Sequence, residues 1–157
     1  MRAVVITVSD RSVSGERADT SGPRAVESLR AAGFEVHDAI VVPDEVEPII
    51  AALRDALASG PALIVTTGGT GLGVRDVTPE ATRAVVDREI PGIAEMLRAE
   101  GRGSTPLAAL SRGIAGTAGA SLIVNLPGSP AAVGENLDVL LPLVPHALQV
   151  LGGLDPH

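Results

Sequence analysis

Three features of the chain predict a three-layer α/β/α fold around a mostly parallel, doubly wound sheet. Short apolar runs at residues 3–8, 62–67 and 121–126 have the length and composition of strands buried on both faces. Stretches with apolar residues at helical spacing separate them, and strands that alternate with helices imply parallel pairing. The polar and glycine-rich segments fall after the C-terminal ends of the strands, along the edge where open parallel sheets bind ligands.

Taken in order, residues 3–8 read as a strand and residues 9–22, rich in Ser, Asp and Gly, as a polar loop. Pro23 suits the first position of a helix, Val26 and Leu29 share a face, and Gly33 stands where a helix-ending glycine would. Residues 34–42 read as a second strand, closed by Pro43 and Asp44. Residues 45–57 put Val46, Ile49, Ile50, Leu53 and Leu57 on one helical face, and Pro48 limits the helix start to the stretch between Asp44 and itself. Residues 62–67 form the third strand. Thr78 reads as an N-cap with Pro79 at the first helical position, and Pro91-Gly92 interrupts that helix before a short one at 93–99. Residues 101–105 read as a loop, and 107–118 carry no clear periodicity. A fourth strand at 121–126 ends in Asn125-Leu126-Pro127-Gly128-Ser129-Pro130. Val133, Leu137, Leu140, Leu141, Val144, Leu148 and Leu151 then keep helical spacing, with breaks expected at Pro142 and Pro145.

A chain of 157 residues and 15.8 kDa fits one domain, 1–157, that buries roughly 70% of its unfolded surface. No apolar run approaches the ~20 residues of a membrane span, so no membrane partner is expected. Met1-Arg2 runs directly into a strand without a signal-peptide core, which points to the cytoplasm. With no Cys and three scattered His (His37, His146 and His157), thiolate and clustered imidazole metal sites are excluded, and any metal is a hard one on oxygen ligands. A net charge of −7 opposes the basic patch that nucleic acid requires. Phe34 is the only aromatic residue, so a bound heterocycle must rely on backbone hydrogen bonds, aliphatic packing or Arg planes.

The chemistry is concentrated in residues 66–82, TTGGTGLGVRDVTPEAT. Gly68, Gly69, Gly71 and Gly73 let backbone approach a ligand, Thr66, Thr67 and Thr70 offer hydroxyls, and successive N–H groups can line an anion-binding concavity. A side chain at Gly71 would occupy the space of a bound phosphate. Asp76 beside such a site calls for an intervening cation such as Mg²⁺, hence metal-assisted phosphoryl or nucleotidyl transfer. All 12 basic residues are Arg, so a Walker A lysine is absent, and the GxGxxG spacing of dinucleotide folds fails. Asp44, on the residues alone, reads first as a helix cap, completed by Glu47 in a capping-box-like pattern, and second as a carboxylate at the sheet edge. The segment 125–130 reads as a strand end and a Pro-Gly turn with Ser129 capping a helix.

The TTGGTG turn, the following Asp76 and the Thr78-Pro79-Glu80-Ala81 helix start resemble the molybdopterin adenylyltransferases of molybdenum cofactor biosynthesis, a family similar to the gephyrin G domain. Pro43-Asp44-Glu45, Ser111-Arg112-Gly113, Asn125-Leu126-Pro127-Gly128 and the segment from Ser9-Asp10 to Ser21-Gly22 match further elements of the same family in the same order. The resemblance implies adenylylation of molybdopterin by ATP as co-substrate with Mg²⁺ as cofactor. It implies Asp44 and Asp76 as catalytic metal ligands, and Ser9, Asp10, Ser21, Thr67, Gly68, Gly69, Thr70, Gly71, Ser111, Asn125, Pro127 and Gly128 as substrate-binding. Ser111 and Arg112 are implied near the pterin phosphate and 125–128 along the nucleotide side. It also implies a homotrimer, with a hexamer left open, and a downstream molybdenum insertase as partner. A non-catalytic molybdopterin-binding paralogue and a nucleotide pyrophosphatase of the competence-damage-inducible type are the alternatives. Arg75-Asp76, where such pyrophosphatases favour paired acids, speaks against the second.

Overall fold

The structure, a computed structural model, describes residues 1–153. In chain order it contains β1 (Arg2–Val8), α1 (Asp10–Val13), α2 (Ser21–Ala31), β2 (Glu35–Val36), β3 (Ile40–Val42), α3 (Val46–Ala58), β4 (Leu63–Thr67) and α4 (Thr78–Arg83). There follow β5 (Arg88–Glu89), α5 (Pro91–Ser104), a 3-10 turn (Pro106–Leu110), β6 (Ala115–Ala118), β7 (Ser121–Leu126), α6 (Pro130–Leu140), a second 3-10 turn (Leu141–Leu143) and α7 (Val144–Leu151). His157, to which the sequence assigns no chemistry, lies outside the described residues.

Side-chain alternation along β1, β4 and β7 builds two cores on the two faces of one sheet. Val5, Leu63, Val65, Leu122, Val124 and Leu126 meet α2, α5, α6 and α7, while Ile6, Val8, Ile64 and Ile123 meet α3 and α4. The sheet order is β2-β1-β4-β7-β6-β5, with β3 also pairing β1, and β1 to β4 and β7 are parallel. The expected three-layer, mostly parallel fold is therefore present. Its far edge departs from it: Gly119, at φ +57°, turns β6 back against β7, and β6 and β5 pair antiparallel.

Several local expectations need correction. Residues 9–22 are not one loop, because Ser9 caps a short helix through the Ser12 N–H and α2 already begins at Ser21. The Asp19 carboxylate takes the Gly22 N–H at 3.0 Å and the Ser21 hydroxyl at 3.3 Å, which anchors the helix start two residues before Pro23. The strand expected at 34–42 is split: Arg2 pairs with Glu35 and Ile6 with Ile40, so the edge strand holds one residue more than β1 between the two pairings, a bulge at 37–39.

Thr78 is not the N-cap of its helix; its N–H binds the Gly69 carbonyl and its hydroxyl the Gly68 carbonyl, so it fastens the glycine loop instead. Pro91 opens a helix rather than interrupting one. That helix takes in 101–104 of the expected loop and leaves only Thr105 extended, and Gly101 lets Ala108 of the 3-10 turn pack where a side chain would stand, 2.9 Å from its Cβ position. The break at Pro142 is present as the 3-10 turn between α6 and α7. Among the described residues no helix is long and apolar enough to cross a membrane.

Candidate functional site: two cavities beside a glycine loop

Strand β4 lies between β1 and β7, and its exit carries the glycine loop to the C-terminal edge of the sheet. Gly68 (φ +90°) and Gly69 (φ +64°) occupy the left-handed region that other residues avoid. They are also sterically fixed, since a Cβ would fall 2.4 Å from the Val8 carbonyl oxygen at Gly68 and 2.3 Å from Thr78 Oγ1 at Gly69. Gly71 works differently: its φ is not left-handed, and a Cβ there would meet Asp76 Oδ2 at 2.9 Å, not an open phosphate space. The Gly73 N–H donates to the same Asp76 oxygen at 2.7 Å. These two glycines make room for the carboxylate.

Arg112 staples the loop from the other side. Its Nε donates to the Gly71 carbonyl at 2.8 Å, its terminal nitrogens to the Asp76 carbonyl and the Glu80 carboxylate, and its backbone N–H to the Thr70 carbonyl. The guanidinium is thus spent on the loop, and Glu80 is held below the usual carboxylate range by Arg112's hydrogen bond.

Asp44 does not cap α3, whose N-cap is Glu45. Its Oδ2 accepts the Asp10 N–H at 2.7 Å, while Asp10 Oδ1 accepts the Asp44 N–H at 2.9 Å. Asp10 also takes three bonds from the guanidinium fork of Arg75, at 2.8–3.0 Å. The two acids therefore differ. The Asp44 N–H and then Arg75 hold Asp10 below its ordinary range, whereas burial, with Asp10 and Asp76 facing it, pushes Asp44 up.

Two cavities flank the loop. The larger, about 510 Å³, is polar and lined by Ser9, Asp10, Arg17, Asp19, Ser21, Asp44, Gly68, Gly69, Asp76 and Gly128. The smaller, about 310 Å³, lies between α5 and α6 under the 3-10 turn, with Thr70, Gly71, Ser111, Asn125 and Pro127 at one end and Leu97, Leu107 and Leu110 among its apolar walls. Ser129 lines both. The structure thus brings Asp44 and Asp76 together with Ser9, Asp10, Ser21, Gly68, Gly69 and Gly128, and places Thr70, Gly71, Ser111, Asn125 and Pro127 next door.

Residues 125–128 do not line one pocket; Asn125 and Pro127 face the small cavity and Gly128 the large one. Thr67 lines neither, being fully buried with its hydroxyl on Thr7 at 3.4 Å and Ser21 at 3.1 Å. Asn125 is committed to the fold: Oδ1 accepts the Ile114 N–H, and Nδ2 donates to the Thr66 and Thr82 hydroxyls at 3.0 and 2.9 Å.

Arg98 of the small cavity escapes the sequence reading, and Glu135 and Asn136 correct it: residues 135–138 read as a solvated helix face, yet Asn136 and Leu137 are buried and Glu135 and Asn136 line the cavity. Arg98 donates to the Ser111 and Gly113 carbonyls, and Ser104 donates to Glu135. The signal was present on α6, where Ser129, Ala132 and Asn136 stand at i, i+3 and i+7 and so form one stripe.

Among the described residues no group of three or more His, Cys, Asp or Glu forms a metal cage. What the large cavity does offer is the half-buried Asp44 with Asp10 and Asp76 near it, Arg75 being engaged by Asp10. That donor set fits Mg²⁺, which is commonly held by one or two carboxylates and completed by water and substrate phosphates.

A family model described as a probable molybdopterin binding domain matches residues 4–146. The chain is 44% identical to a molybdenum cofactor biosynthesis bifunctional protein of Synechococcus elongatus, over 98% of the chain and 48% of that protein. It is 37% identical to a molybdopterin adenylyltransferase of Helicobacter pylori, over 95% of the chain and 86% of that protein. Among solved structures, a molybdopterin biosynthesis enzyme MoaB from Thermus thermophilus superposes with a TM-score of 0.89 at 50% identity, covering 97% of this chain and 96% of that one. The chain spans half or less of the length of the first curated relatives it matches.

Proposed function

The chain belongs to the molybdopterin-binding domain family of molybdenum cofactor biosynthesis, and on that premise we propose that it is a molybdopterin adenylyltransferase, a nucleotidyltransferase that uses Mg·ATP. The observation that carries this reading is the pair of cavities, one polar and one largely apolar, that meet at the glycine loop. Two substrates that must exchange a phosphoryl-linked group need adjacent, chemically different sites, and the loop between them lies where the phosphates would meet. The small cavity takes the pterin, with its phosphate toward Thr70, Gly71 and Ser111; the large one takes the nucleotide.

In this reading the terminal phosphate of molybdopterin attacks the α-phosphate of ATP, the bond to the β-phosphate breaks, and adenylylated molybdopterin and pyrophosphate leave. No side-chain nucleophile is required, so positioning and charge neutralisation carry the rate. Bound Mg²⁺ would neutralise phosphate charge, with Asp44 and Asp76 holding it. The Thr70 hydroxyl, which makes no hydrogen bond among the described residues, and the Gly68 to Gly71 backbone orient the phosphates. The Asp10–Asp44 backbone exchange and the Arg75–Asp10 fork keep Asp44 aimed into the cavity. Ser9, Asp10, Ser21 and Gly128 line the nucleotide side, and Asn125 and Pro127 the pterin side. Thr67 acts from below, by fixing Ser21.

The reading extends to one domain over 1–157, a cytoplasmic location where ATP is available, a homotrimer or hexamer, and delivery of product to a molybdenum insertase. Incubation with molybdopterin and Mg·ATP should yield adenylylated pterin and stoichiometric pyrophosphate, followed by chromatography. Binding of pterin without turnover would make the chain a non-catalytic paralogue, and cleavage of ADP-ribose without pterin adenylylation would make it a pyrophosphatase.

A further inference from the structure

Asn136 stands out among the buried polar side chains. The residue is 4% exposed, and its Oδ1 is the one buried side-chain oxygen or nitrogen among the described residues without a hydrogen-bond partner. Its amide nitrogen makes no hydrogen bond there either, and Asn136 is among the residues that line the small cavity. An amide has donor and acceptor side by side, and a buried polar group left unmade is costly. On the same helix Val133, Leu137 and Leu140 fill the core, so a leucine of similar size would satisfy position 136 if packing alone mattered.

Away from the Thr70 and Ser129 hydroxyls at the loop end, the larger polar side chains around the cavity are already used. Arg98 is on two carbonyls, Asn125 is on three partners, and Glu135 holds Ser104. Aliphatic walls from Ala94, Leu97, Leu107 and Leu110 would grip the faces of a flat ring without directing its rotation. An unused amide in that wall supplies the direction.

We propose that Asn136 sets specificity in the small cavity by reading the edge of a planar heterocycle that presents a donor next to an acceptor, as the amino-oxo edge of a pterin does. The inference rests on the assignment of that cavity to the pterin. The exchange balances hydrogen bonds, since one ligand N–H and one ligand acceptor meet the two ends of the amide. A ring lacking such an edge would fit the same walls and leave the amide unmatched, which is how a site rejects an analogue of the same shape.

The test uses 6-hydroxymethylpterin as a fluorescent probe, read without interference because the chain has no Trp or Tyr. Asn136→Leu and, as a second variant, Asn136→Ala should bind it about tenfold more weakly than the parent protein. Both should keep the parent's affinity for Mg·ATP, and Asn136→Leu should melt no lower than the parent. Unchanged pterin affinity in a folded Asn136→Leu, with a lowered melting temperature, would make the amide structural and overturn the proposal alone. If the parent binds Mg·ATP but shows no saturable pterin binding, the cavity assignment falls and this inference falls with it.

Discussion

Asp10 and Asp44 each accept the other's backbone N–H, at 2.9 and 2.7 Å, so two segments that follow different strands are locked through the groups nearest the chemistry. The lock leaves Asp44 Oδ1 beside Gly69, where a Cβ would lie 3.3 Å from it. It also separates the two acids by role, since Asp10 is neutralised by Arg75 and Asp44 has no salt bridge among the described residues.

Asp44→Asn and Asp76→Asn should each lower pyrophosphate release by about 10² to 10³ while leaving a cooperative melting transition. An asparagine at 44 still accepts the Asp10 N–H, so the fold should persist. Near-parental release by both folded variants would refute their role at the metal and phosphates.

Gly69→Ala and Gly71→Ala should fail in different ways. At Gly69 the left-handed φ and the clash with Thr78 should cost roughly 1–3 kcal/mol of stability. At Gly71 the new methyl meets only the Asp76 carboxylate, so turnover should fall while the urea midpoint stays close to the parent's. Equal loss of stability in both would contradict the division drawn between the two pairs of glycines.

Replacing Glu80 with Gln should reveal a pH-dependent contribution. Arg112's hydrogen bond lowers the folded value of Glu80 below its ordinary 4.5, so its stabilising contribution is full above that value and is lost as pH falls through the folded one. The stability gap between parent and Glu80→Gln, measured in urea, should be constant at neutral pH and close in acid. The pair is partly exposed, so the gap is small. A gap that widens on acidification would mean the sign is wrong.

Asn125→Leu should be a stability mutant before it is a binding mutant. It strands the Ile114 N–H and takes the amide donor from the Thr66 and Thr82 hydroxyls, the second of which keeps its bond to the Thr78 carbonyl, at a cost on the order of 3 kcal/mol. Calorimetry should show the lowered melting temperature; an unshifted one, with weakened pterin binding, would give Asn125 a ligand role in place of the structural one.

The central strands were legible because β1, β4 and β7 are buried on both faces and read as uninterrupted apolar runs. The far edge was not. Strand β5 has two exposed residues and β6 reads Ala-Gly-Thr-Ala, so neither carries a periodic signal and pairing alone makes them strands. Glycine misled at 101–105, where it serves helix-to-turn contact, and proline misled at 91, where it starts a helix. In the site, Asp44 and Asp76 could be singled out by type and position, but the occupation of Arg112 could not, because its acceptors are carbonyls 36 and 41 residues away. Asn136 was misplaced because it stands between Glu135 and Asp138, and residues 135–138 read as a solvated helix face.

The one-residue bulge at 37–39 fixes a length, not a composition. His37 and Asp38 face solvent, and many side chains can stand there without touching either core. Their number cannot change so freely. Removing one residue would straighten the edge strand and draw Asp44 forward by about 3.3 Å, one residue's rise, past the Asp10 N–H it accepts. The segment therefore acts as a vernier between sheet and site: point substitutions should accumulate freely at 37 and 38 during divergence, while Ala39, packed against the core, should stay small and single-residue insertions and deletions should be rare, although none of the three lines either cavity.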